Sequence, residues 1–406
     1  MARKSVSLTL RNPSPYPREG VVVRAWQPVA KRLDTNATSA RVFRVGPGGG
    51  RNPELLPLPA QVDVLDPGDP ERTQLVFALD TLIADGRDDY SSSSGIVRVE
   101  ADTADEQAGT AVAEQFYSGA KLRNEHFELW INTGKKRDEG EPGDFYAGSV
   151  TSVELLTHSI DHPLLRHNRL DALDANNWFD WDRHPEQRAM QIDRIHLIRP
   201  AWDERASFEA FPYRDHWRVL RISQGPVRAT VTIASAPFEF PCRDADGDER
   251  MFHCTVYRAI SLYSGERFVG DEIWVKAVDA KSGLAQRIWF VVGYFMMANF
   301  TSDKEIFRYP DHPGWFTIHT EVNEPRQGYA FATDSRATAL WTPPLDYPHR
   351  GLHHRAFSWE VGPTRVAHSF HAFRVQTSRH QLTDLAGMMW YRLAFKRIRA
   401  TLETEK

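Results

Sequence analysis

Cysteine is nearly absent. Two occur in 406 residues, which excludes a disulfide framework and a thiolate metal site as the organiser of the fold. No stretch approaches the ~18 consecutive apolar residues of a membrane-spanning helix. The N-terminal MARKSVSLTLRNPSPYP holds no apolar core of signal-peptide length, so the sequence reads as cytoplasmic. Lysine supplies only a fifth of the 50 basic residues, no basic block is present and the net charge is −4. That balance argues against nucleic acid or a membrane surface as partner and leaves the oligomeric state open. Helical periodicity is also scarce before Ser378, and no internal repeat of fixed period appears.

What the sequence has is alternation. Between Tyr213 and Ala277, and on into QRIWFVVGYFMMANF, five runs alternate apolar and polar residues and break at Gly225-Pro226, Asp244-Ala-Asp-Gly-Asp, Ser264-Gly265 and Gly283. Such runs predict consecutive antiparallel strands with one buried face. In HWRVLRISQG, Trp217, Val219 and Arg221 are expected on one side and Arg218, Leu220 and Ile222 on the other. The polar members of these runs, Arg218, His253, Tyr257, Arg258 and Trp274, suit a groove for a sugar chain. Cys242 and Cys254 flank the loop around Asp248. They can face each other across two strands, although a reducing cytosol favours two half-buried thiols.

The flanks complete an all-β plan. SVSLTLRN, GVVVRAWQPV, AQVDVLD, TQLVFALDTL and GIVRVEAD predict a small N-terminal β-sandwich over residues 1–110. The acidic, aromatic-free 101–115 reads as a linker. LRNEHFELWINTGKK reads as one strand, with His126, Glu128, Trp130 and Asn132 sharing a face. Residues 154–190 read as a long insertion whose NNWFDWDRHP contains Trp181, Arg183 and His184. After the strand TRVAHSFHAFRVQT, Ser378 and Gln381 form a capping box for a helix over 379–402. The expected architecture is therefore all-β: a small N-terminal β-sandwich, then a β-supersandwich domain over 117–406 that ends in one α-helix.

Three strings carry a resemblance: N-E-H-F-E-L-W-I-N (124–132), I-S-Q-G-P-V-R-A-T-V-T-I (222–233) and Y-R-A-I-S-L-Y-S-G-E-R-F-V (257–269). Over residues 117–377 the chain resembles galactose-mutarotase-like β-supersandwich proteins. These include mutarotases, epimerases, glycoside hydrolases and the sandwich domains of polysaccharide lyases. The N-terminal part resembles a small β-domain of bacterial polysaccharide-degradation proteins. Its usual D-x-D-G-D-G string survives here only as Asp63, Asp66 and Asp69 in a Pro-broken form, which puts a metal role there in doubt. The resemblance implies carbohydrate chemistry on a concave sheet, and a shared fold does not choose the reaction.

The residue types lean to β-elimination on an acidic, uronic-acid-containing oligosaccharide, since Arg, His and Tyr are plentiful and no carboxylate dyad stands out. Arg218 or Arg355 would pair the substrate carboxylate. His216, His349, His353 or His354 would take the C5 proton, and Tyr257 or Tyr213 would protonate the leaving oxygen. His126, Trp130, Trp181, Arg183, His184, Trp217, His253 and Trp274 would line the groove. Two alternatives stand: a glycoside hydrolase or epimerase using Asp180, Asp182 or Glu272, and a non-catalytic carbohydrate-binding or scaffold protein. No cofactor is expected, with a divalent cation at the histidine cluster 349–355 or at Asp244–Asp248 as the lesser reading. Asp244–Asp248 resembles a calcium loop with its glycine out of place. His368 and His371, three apart on a strand, are expected on opposite faces.

Overall fold

Alternation broken by turn residues produces antiparallel sheet almost everywhere. The computed structural model describes residues 4–11, 18–35, 39–46, 54–82, 96–101, 109–117, 119–133, 147–148, 150–155, 191–198, 208–210, 217–243, 249–277, 289–296, 304–308, 315–320, 327–333, 340–342, 353–360, 366–375, 384–389 and 399–402. The fold is all-β, with few helical residues.

The N-terminal part is a two-sheet sandwich. Strands β1 (Ser5–Arg11), β3 (Ala40–Val45), β4 (Leu55–Leu58) and β7 (Ile96–Ala101) pair in the order β1-β7-β3-β4. Strands β2 (Arg18–Ala25), β5 (Ala60–Val64) and β6 (Thr73–Leu82) pair as β2-β6-β5. Leu8, Val42, Val97 and Val99 from the first sheet meet Val22, Leu75 and Phe77 from the second in one core. GVVVRAWQPV, expected as strand to its end, turns helical at α1 (Gln27–Leu33). Pro28 fits a first helical turn, where its missing N–H costs nothing. Val29, Ala30 and Leu33 then join the core.

Strands β8 (Val112–Phe116), β9 (Gly119–Arg123), β10 (Phe127–Asn132) and β11 (Val150–Leu155) form a four-stranded sheet in chain order. Two expectations are corrected here. Strand β8 takes in residues 112–115 of the supposed linker, and LRNEHFELWIN is a hairpin rather than one strand. Asn124 makes that turn by accepting the N–H of His126 and Phe127 on its Oδ1, at 2.9 and 2.8 Å. An Asn side chain mimics the backbone in this way, a local chemistry that strand periodicity does not register.

The largest sheet has nine strands. β14 (Trp217–Gln224), β15 (Arg228–Ser235), β17 (Glu249–Tyr263) and β18 (Val269–Ala277) lie side by side. β25 (Ala367–Val375), β22 (Gln327–Thr333), β21 (Trp315–Thr320) and β20 (Lys304–Arg308) continue the sheet, and β16 (Phe238–Arg243) pairs with β17. QRIWFVVGYFMMANF does not follow β18. Its strand β19 (Trp289–Met296) sits in a separate five-stranded sheet between β12 (Gln191–Ile198) and β24 (His353–Glu360), with β13 (Phe208–Ala210) and β23 (Leu340–Thr342) at the edges. Alternation reports which face a residue occupies and is silent on which strand lies alongside.

Register settles the cysteines. Cys254 stands opposite Phe238, and Cys242 opposite Arg250. Four residues of strand therefore separate them, on the order of 13 Å at the usual rise, about twice what a disulfide spans. Cys254 is a buried thiol. The expected C-terminal helix is short in the described residues, 384–389, and 399–402 are strand β26 (Arg399–Leu402), paired with β1.

Candidate functional sites

The two faces of the nine-stranded sheet do different things. A bulge between Val219 and Arg221 reverses the alternation in β14. Arg221, expected beside Trp217, is thereby turned to the side of Arg218. Bulges insert one residue and re-aim those that follow. Across the strands this gives one row, Arg218–Ala234–Tyr257–Trp274, and a second, Arg221–Thr232–Ala259–Glu272–His368. The first row is the groove floor expected from the sequence.

Among the described residues that floor is crossed by the chain itself. Gln61 accepts the N–H groups of Val227 and Arg228 on one amide atom and donates to the Arg228 carbonyl and Asp63 with the other. Asp63 takes Arg228 Nε at 2.6 Å and the Ser223 hydroxyl at 2.9 Å. Leu65 packs on Ala259 and Trp274. Asp66 ends the crossing on Lys276, 2.5 Å away, which Asp69 reaches at 2.9 Å. Arg228 also donates to Glu272 at 3.2 Å and to Gln74 at 2.7 Å. His368 Nδ1 lies 3.5 Å from Glu272. Arg228 and Asp63 are wholly buried and Glu272 is 2% exposed, so the cluster joins the N-terminal sandwich to the sheet. Burial works against the Arg228 charge, but Asp63, Tyr263 and Glu272 outweigh it and hold the guanidinium above its ordinary pKa. Burial likewise pushes the Asp69 carboxyl up, yet Lys276 holds it below the ordinary carboxylate value.

The opposite face meets the four-stranded sheet. Arg258, adjacent to Tyr257 in sequence and therefore on the other side, clamps Asp271 with three hydrogen bonds of 2.6–3.0 Å and donates to the Gly148 carbonyl. His371 accompanies it, with Nε2 2.9 Å from Ser369 Oγ and 3.9 Å from Asp271. Ser, His and Asp are the types of a hydrolytic triad. Here one ring nitrogen faces both partners, so no relay runs through the ring. The group is also sealed, His371 at 0% and Asp271 at 1% exposure. Burial first and Arg258 second hold the His371 imidazole well below its ordinary pKa of 6.5. His368, on the other face of β25, is kept apart from it.

An exposed site lies elsewhere, on the outer face of the four-stranded sheet. Phe127, Leu129 and Ile131 of β10 point inward and are buried, which leaves Trp130 outside at 37% exposure. Phe116 stacks on it with centroids 5.4 Å apart at 20°. Gly119, opposite Phe116 in the register, places no side chain between the rings. Tyr117, 53% exposed, follows Phe116 at the hairpin turn. Lys121 Nζ stands 5.1 Å over the Trp130 ring and 2.7 Å from Glu128. Of the six exposed large apolar side chains among the described residues, Val112, Phe116, Tyr117 and Trp130 gather here. Such a concentration marks a contact surface rather than scattered chance.

The residues singled out from sequence are dispersed. Trp217 and Trp274 are core side chains, 3% and 1% exposed, and present no free face. Trp274 is stacked on Tyr257 and capped by Arg72. Tyr257 is part-buried under Lys276. Ala234 separates it from exposed Arg218. His253 pairs with Glu239 at 3.1 Å. His126 is part-buried beside the Asn124 turn. His353, His354 and Arg355 belong to β24 in the five-stranded sheet. Tyr213, His216, Trp181, Arg183, His184, His349, Asp180, Asp182 and the loop Asp244–Asp248 lie outside the described residues. Phe116 and Tyr117 escaped the sequence reading, since they fall between the 101–115 read as linker and the strand read from Leu122. The signal that could have found them is the apolar doublet between AVAEQ and the next strand. Among the described residues no group of three His, Cys, Asp or Glu side chains is placed to hold a metal.

The molecule is thus an all-β protein with a buried polar junction and an exposed aromatic ledge. No protein-family model matches the sequence. No curated protein matches it either. Among solved structures it is similar to an alpha-mannosidase from Enterococcus faecalis V583, with a TM-score of 0.44 and 9% identity, covering 100% of this chain and 46% of the other. It is also similar to a glycosyl hydrolase family 38 protein from Enterococcus faecalis, with a TM-score of 0.48 and 9% identity, covering 100% and 48%. The chain spans about half the length of each.

Proposed function

We propose that the chain is a carbohydrate-active protein that holds a saccharide on the Trp130–Phe116 ledge. The observation that carries this reading is the exposed, nearly parallel Phe116–Trp130 pair, flanked by a lysine–glutamate pair. Aromatic rings offer an apolar face to the C–H side of a pyranose, while charged neighbours serve its hydroxyls. For a reaction, hydrolysis of a glycosidic bond is favoured over elimination. Elimination as expected from the sequence needs Arg, His and Tyr around one carbon. Among the described candidates Arg218 and Tyr257 have Ala234 between them and His353, His354 and Arg355 belong to another sheet, while His216, Tyr213 and His349 lie outside the described residues. Glu272 is unsuited to either reaction because Arg228 holds it in the buried junction. The carboxylates left for hydrolysis are Asp180 and Asp182. Calorimetry with a panel of oligosaccharides tests the binding half: Trp130→Ala should weaken binding about tenfold or more, and unchanged binding sinks the ledge. New reducing ends without an unsaturated, ultraviolet-absorbing product support hydrolysis, whereas that product restores elimination.

A further inference from the structure

We infer that the ledge takes an uncharged sugar by its hydroxyls and refuses a uronic acid, an inference that rests on the ledge being a saccharide site. The ledge has no net positive charge to offer. Lys121 and Arg123 project from β9 on the same face as Trp130, and each has a carboxylate beside it. Glu128, whose side chain is 10% exposed, binds Lys121 at 2.7 Å and lies 3.8 Å from Arg123. Exposed Glu114 stands opposite Lys121 in the register on the other side. Two cations and two carboxylates cancel, and Glu125 at the adjoining turn adds negative charge. A uronate carboxylate needs a cation fork that is not already engaged. Here Lys121 is shared between Glu128 and the Trp130 ring, and Arg123 is shared with Glu128.

The same arrangement suits vicinal hydroxyls. An ammonium donor and a carboxylate acceptor stand side by side next to an aromatic face. A diol both accepts and donates, so it can bridge the pair without bringing a charge that must be neutralised. Glu128 is held by two cations and buried along most of its length, so the acceptor is pre-oriented and little side-chain freedom is lost on binding.

The test is calorimetry on the full chain with matched neutral and uronic trisaccharides, for the wild type and for Trp130→Ala, Glu128→Gln and Glu114→Lys. The wild type should bind the neutral sugar and bind the uronic one at least about tenfold more weakly. Glu114→Lys, a fully surface change, should raise uronate affinity about fivefold. Glu128→Gln should narrow the preference, and the Glu114 variant keeps the test decisive if that protein does not fold. Equal or tighter binding of the uronic sugar overturns the selectivity and leaves the ledge standing as a site. Absence of binding to either sugar, or Trp130→Ala binding like the wild type, overturns the ledge itself. Sedimentation showing a dimer that Trp130→Ala dissociates would make this face a self-association surface and overturn both.

Discussion

Replacing Arg228 by methionine removes the cation of the buried junction while nearly preserving its length. Asp63, wholly buried, then keeps only Gln61 and Ser223 as donors, and Glu272 loses a 3.2 Å partner. Breaking a buried ion pair from one side costs about 3–5 kcal/mol, because the remaining charge is stranded away from water. The cost should fall on docking between the N-terminal sandwich and the nine-stranded sheet rather than on either core. A chain with several sheets is unsuited to a single two-state transition, so the assay is native-state amide exchange resolved by segment. Amides of β5 and β15 should exchange through an opening made easier by about that amount, and those of β3 and β7 should stay protected. Asp63→Asn in the Arg228→Met background should return about 1–2 kcal/mol, since it removes the stranded charge and keeps the hydrogen-bonding shape. A loss below about 1 kcal/mol, or a second substitution that adds to the damage, would refute charge compensation as the basis of the junction.

Three further outcomes are expected. Native His371 resists protonation and the unfolded imidazole does not, so its contribution is complete above the ordinary value of 6.5 and is lost as pH falls below it. The slope is up to about 1.4 kcal/mol per pH unit. His371→Gln should flatten stability in that window, and an unchanged slope counts against the sealed-imidazole account. Lys276→Met should let the Asp69 carboxyl titrate at higher pH, read by carbon NMR, because burial raises it and Lys276 is the largest of the groups that hold it down, ahead of the Glu71 N–H and Arg72. A carboxyl that titrates as before would assign the depression to another cause. A β-carbon at Gly119 would lie 1.9 Å from the Ile131 carbonyl oxygen. Gly119→Ala should therefore cost about 1–3 kcal/mol in thermal unfolding, and an unchanged midpoint would mean the strands are farther apart than described.

Much of the sheet was legible from sequence, for a plain reason. A strand such as 228–235 is buried on both faces, but its polar residues gather on the side of the junction and its apolar ones on the other, so the two kinds alternate and turn residues mark the ends. The misreadings have equally local causes. A one-residue bulge turned Arg221 over, and one asparagine folded a strand into a hairpin. Burial of Trp217 and Trp274 was illegible because an aromatic side chain fills a core as readily as it lines a groove. Arg258 was grouped with Tyr257 although adjacent strand residues must point apart. Pairings such as Arg228 with Asp63 span 165 residues, and only the folded topology brings them together. The resemblance strings did converge. Asn124 donates to the carbonyls of Tyr263 and Glu266, Glu125 accepts the Gly265 N–H, and Ser264 N–H donates to the Val227 carbonyl. What those strings share is a structural joint, and a joint carries no information about the chemistry of a site.

The pairing of β26 with β1 has a consequence for how the molecule is made. Leu8 faces Leu402 across that ladder. The outer edge of the first sheet therefore stays uncovered on the ribosome until nearly the whole described chain has emerged. During that interval β1 is a bare strand edge beside a hydrophobic core, a template for pairing with another nascent chain. Removal of residues 399–402 would make that transient state permanent. Such a truncated protein should fold its individual sheets yet accumulate in aggregates, with the rate of loss rising with expression level rather than with temperature alone.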